Sequence, residues 1–146
     1  MPRAGADMTY YEFGRCYDSS HLIDLKPSQI YYGCDGTGIL EAMTWTTYGP
    51  DEADGTGIDD TTDCIPSCAG GHRYRNPVVV HAWNPKPAGC RTNLLFWYDF
   101  DIAYPKGVPP GVGPGSNSVD AEFTHYNGMP AVHYFNQTPM SCGMTG

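Results

Sequence analysis

Residues 94–104 read LLFWYDFDIAY, and this stretch carries the clearest secondary-structure signal in the chain. Its side chains divide into two sets with a period of two, which is the repeat of a β-strand. One predicted face carries Leu94, Phe96, Tyr98, Phe100, Ile102 and Tyr104. The other face carries Leu95, Trp97, Asp99, Asp101 and Ala103. The stretch therefore predicts a half-buried strand whose second face is apolar at one end and acidic at the other.

Further strand signals lie on both sides of this stretch. Residues 39–48 and 76–83 are rich in β-branched and aromatic residues and predict two more strands. Asn127-Gly128 separates two short candidate strands, 121–126 and 131–136, and predicts a hairpin whose loop Pro130 lengthens. No segment has a helical stripe; the best window, residues 50–60, contains Gly55 and Gly57. We interpret the Asp-Gly-Thr-Gly sequence within it as turn chemistry.

These signals predict an all-β fold, a sandwich or small barrel stapled by disulfides, with little helix. A chain of 146 residues suits one domain, so residues 1–146 are expected to form a single exported β domain. Residues 1–6 are expected to be a disordered terminus or an expression remnant. Residues 105–118 contain repeated Pro and Gly and predict an exposed loop.

Composition indicates an aromatic core and an acidic surface. Leu, Ile, Val and Phe are scarce, but eleven Tyr and three Trp supply large buried area. The formal net charge of −8 argues against nucleic-acid or anionic-membrane binding, which needs a basic surface. There is no long apolar run that would span a membrane and no motif typical of a cofactor site. We therefore predict no cofactor and no nucleic-acid partner.

Six cysteines are an even number and predict disulfides formed in an oxidising compartment. Many pairings are compatible with six cysteines, and the sequence alone does not choose among them. An alternative is a zinc site in which Cys64, Cys68 and His72 gain a fourth ligand such as His81. Because the spacing is not that of a standard zinc finger, disulfides are favoured and no metal is predicted. Ala4-Gly5-Ala6 has the form of a signal-peptidase site, which favours export.

A set of Cys, Gly, Trp and Pro positions between residues 33 and 80 carries a family resemblance. The set comprises Gly33-Cys34-Asp35-Gly36, Trp45, Tyr48-Gly49, Ala53, Gly55-Thr56-Gly57, Cys64-x-Pro66-x-Cys68-Ala69-x-Gly71 and Pro77-Val78-x-Val80. It resembles a group of small exported proteins of actinobacteria, including mycobacteria. The resemblance implies export and a compact disulfide-linked domain, and it lends no catalytic residue because no activity is established for the group.

The resemblance also implies a disulfide pattern. Cys90 and Cys142 look like additions to the four-cysteine pattern of that group, so they are expected to pair with each other. The four remaining cysteines are then expected to staple the central block. These are Cys16, Cys34, Cys64 and Cys68.

Three clusters of titratable residues are candidates for chemistry. Asp99 and Asp101 point the same way on one predicted strand, about 6.5 to 7 Å apart, a separation compatible with two-carboxylate glycoside hydrolysis. Three histidines on predicted strands are candidates for acid–base chemistry: His81, His125 and His133. Five acidic residues suggest either a calcium site or, as the favoured interpretation, a solvated turn. These are Asp51, Glu52, Asp54, Asp59 and Asp60.

Aromatic side chains are the remaining functional signal. Trp83, Trp97 and Tyr48 are predicted to reach a recognition surface, while the other interpretation places such rings in the core. We therefore predict a monomeric, secreted or cell-envelope module that binds a small ligand, a glycan or a protein without catalysing a reaction. The alternative is a hydrolase of cell-wall or extracellular polysaccharide that uses Asp99 and Asp101, or a histidine with a carboxylate.

Overall fold

The computed structural model describes residues 8–17, 25–34, 37–114 and 120–139. Within these ranges the chain forms eight β-strands and no helix, which confirms the all-β prediction. The strands are β1 (Tyr10–Glu12), β2 (Ile30–Gly33), β3 (Gly38–Tyr48), β4 (Glu52–Thr62), β5 (Arg73–Pro87), β6 (Leu94–Ala103), β7 (Ala121–Tyr126) and β8 (Met129–Tyr134). In the described ranges there is accordingly no helix long and apolar enough to cross a membrane.

The strands form one sheet in the order β2-β3-β4-β5-β6-β8-β7. Neighbours on this path are antiparallel, and β3 to β6 follow one another as a meander. On the side away from β5, strand β6 pairs with two strands. Its C-terminal part, Phe100–Ala103, pairs with β8, and its N-terminal part pairs in parallel with β1. Strand β6, which carries the clearest strand signal in the sequence, is therefore the centre of the fold.

The sheet coils around its own core because β3 is bent. The register between β3 and β4 shifts between Glu41 and Thr44 and again between Trp45 and Thr47. Such bulges bend a strand and increase its twist. Strand β2, at one edge of the sheet, comes close to β8, which lies next to the other edge. Tyr32 of β2 and Tyr134 of β8 have ring centroids 5.7 Å apart.

The enclosed core is aromatic, as the composition predicts. Its buried residues include Leu40, Trp45, Val80, Trp97, Phe100, Ile102, Tyr104 and Tyr134. Trp97 is 0% exposed, so the prediction that it reaches a surface is wrong. Trp97 and Phe100 lie in the same core, so the strict alternation of faces predicted for this strand is interrupted between them. The interruption faces Asn84 of β5, whose φ of 59° lies in the left-handed region.

The region predicted to be a turn, Asp54-Gly-Thr-Gly57, lies instead in the middle of strand β4. Its glycines make room for side chains of β3. A Cβ atom on Gly55 would meet Trp45 Cε3 at 2.6 Å, and one on Gly57 would meet the Met43 side chain. The glycines therefore allow two large side chains to cross β4, and they do not mark a turn.

The hairpin at Asn127-Gly128 is confirmed. Tyr126 pairs directly with Met129, and both turn residues have positive φ, 49° and 79°. Pro130 lies within β8, so it does not lengthen the loop as predicted. The predicted Pro/Gly loop at 105–118 is described up to residue 114. Residues 105–114 form no strand, in agreement with the predicted loop. The prediction that this loop is exposed is wrong for Pro109 and Gly113, which are buried.

Two disulfides connect the four cysteines expected to staple the central block: Cys16–Cys34 and Cys64–Cys68. Cys90 is also disulfide-bonded, and its expected partner, Cys142, lies outside the described residues. Because Cys64 and Cys68 bind each other, the zinc alternative built on them is wrong. Disulfides form and persist in oxidising compartments, so these bonds suggest such an environment for the protein.

Candidate functional site

One side of the sheet carries a row of alternating acids and histidines. Its five members come from five neighbouring strands, in the spatial order β4, β5, β6, β8 and β7. Each member lies directly opposite the next. In order, they are Asp54, His81, Asp101, His133 and Glu122. Neighbouring strands lie about 4.8 Å apart, so the row is about 19 Å long. We call this surface the histidine–carboxylate face and include in it Glu52, Trp83, Asp99, Tyr126 and Phe135.

His133 lies between two carboxylates. Its Nδ1 is 2.8 Å from Glu122 Oε2 and its Nε2 is 2.9 Å from Asp99 Oδ1. A neutral imidazole has only one N–H donor, so both short contacts are satisfied together when the ring is protonated. Burial alone would lower the pKa of His133, but the hydrogen bonds to Glu122 and Asp99 and the charge of Asp101 outweigh it and raise this pKa.

The second histidine of the row, His81, pairs with a carboxylate of strand β4. His81 Nδ1 is 2.7 Å from Asp54 Oδ1, and the Tyr126 hydroxyl donates to the same oxygen at 3.3 Å. Asp99 is held in turn by Asn84, whose side-chain amide donates to Oδ2 at 2.8 Å. The polar groups of the face are therefore held in position before any ligand arrives.

Four rings of the face stack in the order Tyr126, His81, Trp83, His133, and Phe135 makes a tilted contact with His133 at the end of this series. The successive centroid distances are 5.2, 5.2, 5.1 and 5.7 Å. Strands β5 and β8 lie on opposite sides of β6, so their backbones are about 9 to 10 Å apart. Since the Trp83 and His133 centroids are only 5.1 Å apart, these rings lean toward each other over β6.

Asp101 lies on β6, below these rings. It is 8% exposed, and its Oδ1 has no hydrogen-bond partner among the described residues. Burial raises the pKa of Asp101, although the charges of His133 and His81 act in the opposite direction. The face therefore contains a buried carboxylate oxygen with an unused capacity to accept a hydrogen bond or bind a cation.

The stacking determines what this face presents to solvent. The rings of His81 and Trp83 each stack against two neighbouring rings. Their flat faces are covered, so ring edges and polar atoms point outward. Stacking of a sugar on an aromatic ring needs an open ring face, which these two rings do not provide. The face contains five carboxylates and no Lys or Arg, and it is therefore suited to positively charged groups.

The structure brings together several of the residues that the sequence singled out. Asp99, Asp101, His81, His133 and Trp83 all lie on the histidine–carboxylate face. His125 lies on β7 outside it and is exposed.

Tyr48, predicted to reach a recognition surface, is half-buried near Trp97. Its hydroxyl donates to the Tyr11 carbonyl at 3.0 Å.

The acidic residues of the 51–60 cluster that lie on strand β4 point to opposite sides of the sheet. Glu52 and Asp54 point to the histidine–carboxylate face, whereas Asp59 points into the core and is 0% exposed. The Tyr32 and Tyr104 hydroxyls donate to its two oxygens at 2.5 and 2.6 Å. Burial raises the pKa of Asp59 to about 6, although both hydrogen bonds act to lower it. The predicted solvated turn is thus a strand with one buried acid.

Two cavities, of about 210 and 190 Å³, lie beside strands β1 and β2. The first is lined by residues that include Phe13, Tyr17 and Ile30, and the second by residues that include Tyr10 and Tyr48. Neither includes a residue of the histidine–carboxylate face. The histidine–carboxylate face and these two cavities therefore occupy different parts of the molecule.

Comparison with known proteins gives this chain no relative: no family model, no curated protein and no solved structure matches it.

Proposed function

We propose that this protein is an exported, non-enzymatic binding module that takes a positively charged segment of a partner on its histidine–carboxylate face. The observation that carries the proposal is the row of Asp54, His81, Asp101, His133 and Glu122 across neighbouring strands. Export is supported by the disulfides and by the resemblance to exported actinobacterial proteins.

Charge and geometry favour an extended cationic ligand. Glu122 is 60% exposed at one end of the row, and Glu52 is exposed at the other end. Carboxylates at both ends of a row about 19 Å long match an extended chain better than a compact small molecule. The covered faces of the central rings disfavour a ligand held by stacking. A peptide segment rich in lysine has the required charge and shape.

Binding of an oligolysine peptide tests this proposal. We expect Asp99→Asn with Glu122→Gln to weaken binding by about 5- to 30-fold, because two charge-assisted contacts are lost. Added salt is expected to weaken wild-type binding, since the exposed charges are screened. Fluorescence anisotropy with a labelled peptide measures both effects, and an oligoglutamate peptide of equal length serves as the ligand control.

A matched variant separates this face from general charge. Glu41→Gln with Asp60→Asn also removes two negative charges, but at residues that pair with Arg73 and Arg75 away from the face. This variant is expected to bind oligolysine with nearly wild-type affinity. Equal loss in the two double variants, or no binding by the wild type, would contradict the proposal.

The hydrolase alternative is favoured by one observation. Asp101 has a raised pKa beside Asp99, which is hydrogen-bonded to His133, and carboxylates in different environments can serve as acid and base. The burial of Asp101 under the stacked rings disfavours it, because a substrate would have to reach that carboxyl. Release of sugars from cell-wall polysaccharide that is lost in Asp101→Asn and Asp99→Asn would support the hydrolase over the binding module.

A further inference from the structure

A compact set of metal-binding atoms lies at the β4 end of the histidine–carboxylate face. Glu52, Asp54 and His81 each offer one such atom, and these atoms lie within 4.8 Å of one another. Asp54 is directly opposite His81, and Glu52 is two residues along the same strand, so both carboxylates point to the same side. Their proximity therefore follows from the register of β4 and β5.

A second, independent observation concerns the neighbour of His81 on the next strand. Asp101 is directly opposite His81 on the side away from Asp54, and its buried Oδ1 has no hydrogen-bond partner among the described residues. Leaving a buried acceptor without a partner is costly, and the cost is larger when the group is charged. His133 lies directly opposite Asp101 on one side, and a cation bound close to His81 would offset this cost from the other side.

We propose that Glu52, Asp54 and His81 bind a divalent transition-metal ion such as Zn²⁺, with Asp101 as a supporting carboxylate. Zinc bonds to imidazole nitrogen and carboxylate oxygen at about 2.0 to 2.2 Å in a tetrahedral arrangement, so two of its ligand atoms lie about 3.3 to 3.6 Å apart. The candidate atoms lie within 4.8 Å of one another, and closing them around an ion takes a relative movement of up to about 1.5 Å, which side-chain rotation can supply. The metal would take the place of the direct contact between His81 Nδ1 and Asp54 Oδ1, which are 2.7 Å apart.

The surroundings hold the imidazole ready for this role. His81 is stacked between Trp83 and Tyr126, which restricts rotation of its ring. Tyr126 also donates a hydrogen bond to Asp54 at 3.3 Å. A site whose ligands are held by neighbouring groups loses less entropy on binding. The imidazole ligand selects Zn²⁺ over Ca²⁺, which is bound through oxygen.

This inference goes beyond the proposed function, because metal binding needs no macromolecular partner. Calorimetric titration of the tag-free protein with Zn²⁺ tests it directly. We expect one ion to bind per chain, and we expect Ca²⁺ at the same concentration to give no comparable binding. No heat with Zn²⁺, or equal binding of Ca²⁺, would overturn the proposal.

Two substitutions and one control locate the site. His81→Phe keeps a ring in the stack but removes the nitrogen ligand, and it is expected to abolish the titration. Glu52→Gln changes an exposed side chain, leaves folding intact and is expected to weaken Zn²⁺ binding by about 10-fold or more. His125→Phe, an equivalent change at an exposed histidine outside the cluster, is expected to bind as the wild type does.

The three variants together decide whether the ion binds at this cluster or elsewhere on the protein. Unchanged affinity in both His81→Phe and Glu52→Gln would overturn the assignment, as would an equal loss in His125→Phe. The oligolysine assay is performed without metal, so a failure of the peptide proposal leaves the zinc result standing. A failure of the zinc proposal likewise leaves the peptide result standing.

Discussion

Replacing Trp97 with alanine is expected to lower the free energy of unfolding by about 3 to 5 kcal/mol. Trp97 has no exposed surface and packs against Tyr11 and Tyr48, with ring centroids 5.1 and 5.8 Å away. Its removal leaves a large cavity that the neighbouring rings cannot fill. Domains of this size are stable by about 5 to 15 kcal/mol, so the loss is a large share of the total. Urea unfolding followed by circular dichroism measures it.

Trp83→Ala is the matched control for this prediction. Trp83 is partly exposed on the histidine–carboxylate face, so its removal leaves less of a closed cavity. The expected loss is about half of that for Trp97→Ala or less. If Trp83→Ala were the more destabilising of the two, the assignment of Trp97 to the core would be wrong.

Asp59→Asn is expected to make the protein more stable at neutral pH by about 3 kcal/mol. The pKa of Asp59 is raised from 3.8 to about 6 in the folded state, so folding favours its protonated form. Its contribution to stability is therefore complete below its unfolded pKa and is lost as pH rises through the folded pKa of about 6. Asparagine resembles the neutral carboxyl at every pH and avoids this loss.

Urea unfolding of the wild type and Asp59→Asn at about pH 4 and about pH 7 tests this sign. The two proteins should differ little at the lower pH and most at the higher pH. Asp60→Asn is the control, because Asp60 points outward and pairs with Arg73 and Arg75. It should gain no stability at neutral pH. An equal difference between the wild type and Asp59→Asn at both pH values would mean that Asp59 does not titrate in this range.

Strands with long apolar or β-branched runs were predictable from the sequence, and β4 was not. Residues 39–48, 76–83 and 94–104 each correspond to a strand of the meander. Strand β4 was missed because Gly55 and Gly57 are turn signals when considered along the chain alone. Their role depends on Trp45 and Met43 of the neighbouring strand, which cross β4 at these positions. Such a relation between strands is not visible in local sequence.

One contact of the candidate site could have been predicted from the sequence. A two-residue turn at Asn127-Gly128 places residue 126 opposite 129, and the same register places Glu122 opposite His133. The rest of the row could not be predicted, because it requires β4 as a strand and β8 between β6 and β7. The sequence therefore indicates single residues such as Asp101 and His81 as candidates, without their partners.

The position of Trp97 shows a limit of period-two reasoning. Strict alternation places Trp97 on the same face as Asp99 and Asp101, toward solvent. In the structure the alternation is interrupted opposite Asn84, and Trp97 points into the core. An irregularity in one strand thus changes which side chains of its neighbour are buried.

The parallel pairing of β1 with β6 bears on the speed of folding. Strands β3 to β6 are neighbours in sequence as well as in the sheet, but Tyr10 of β1 meets Leu94 of β6 across most of the chain. Bringing such distant segments together costs chain entropy before any contact compensates for it. Proteins rich in these pairings fold in about milliseconds to seconds, whereas helical bundles are much faster. We therefore expect the N-terminal segment to dock late and to set the time that the chain needs to become native.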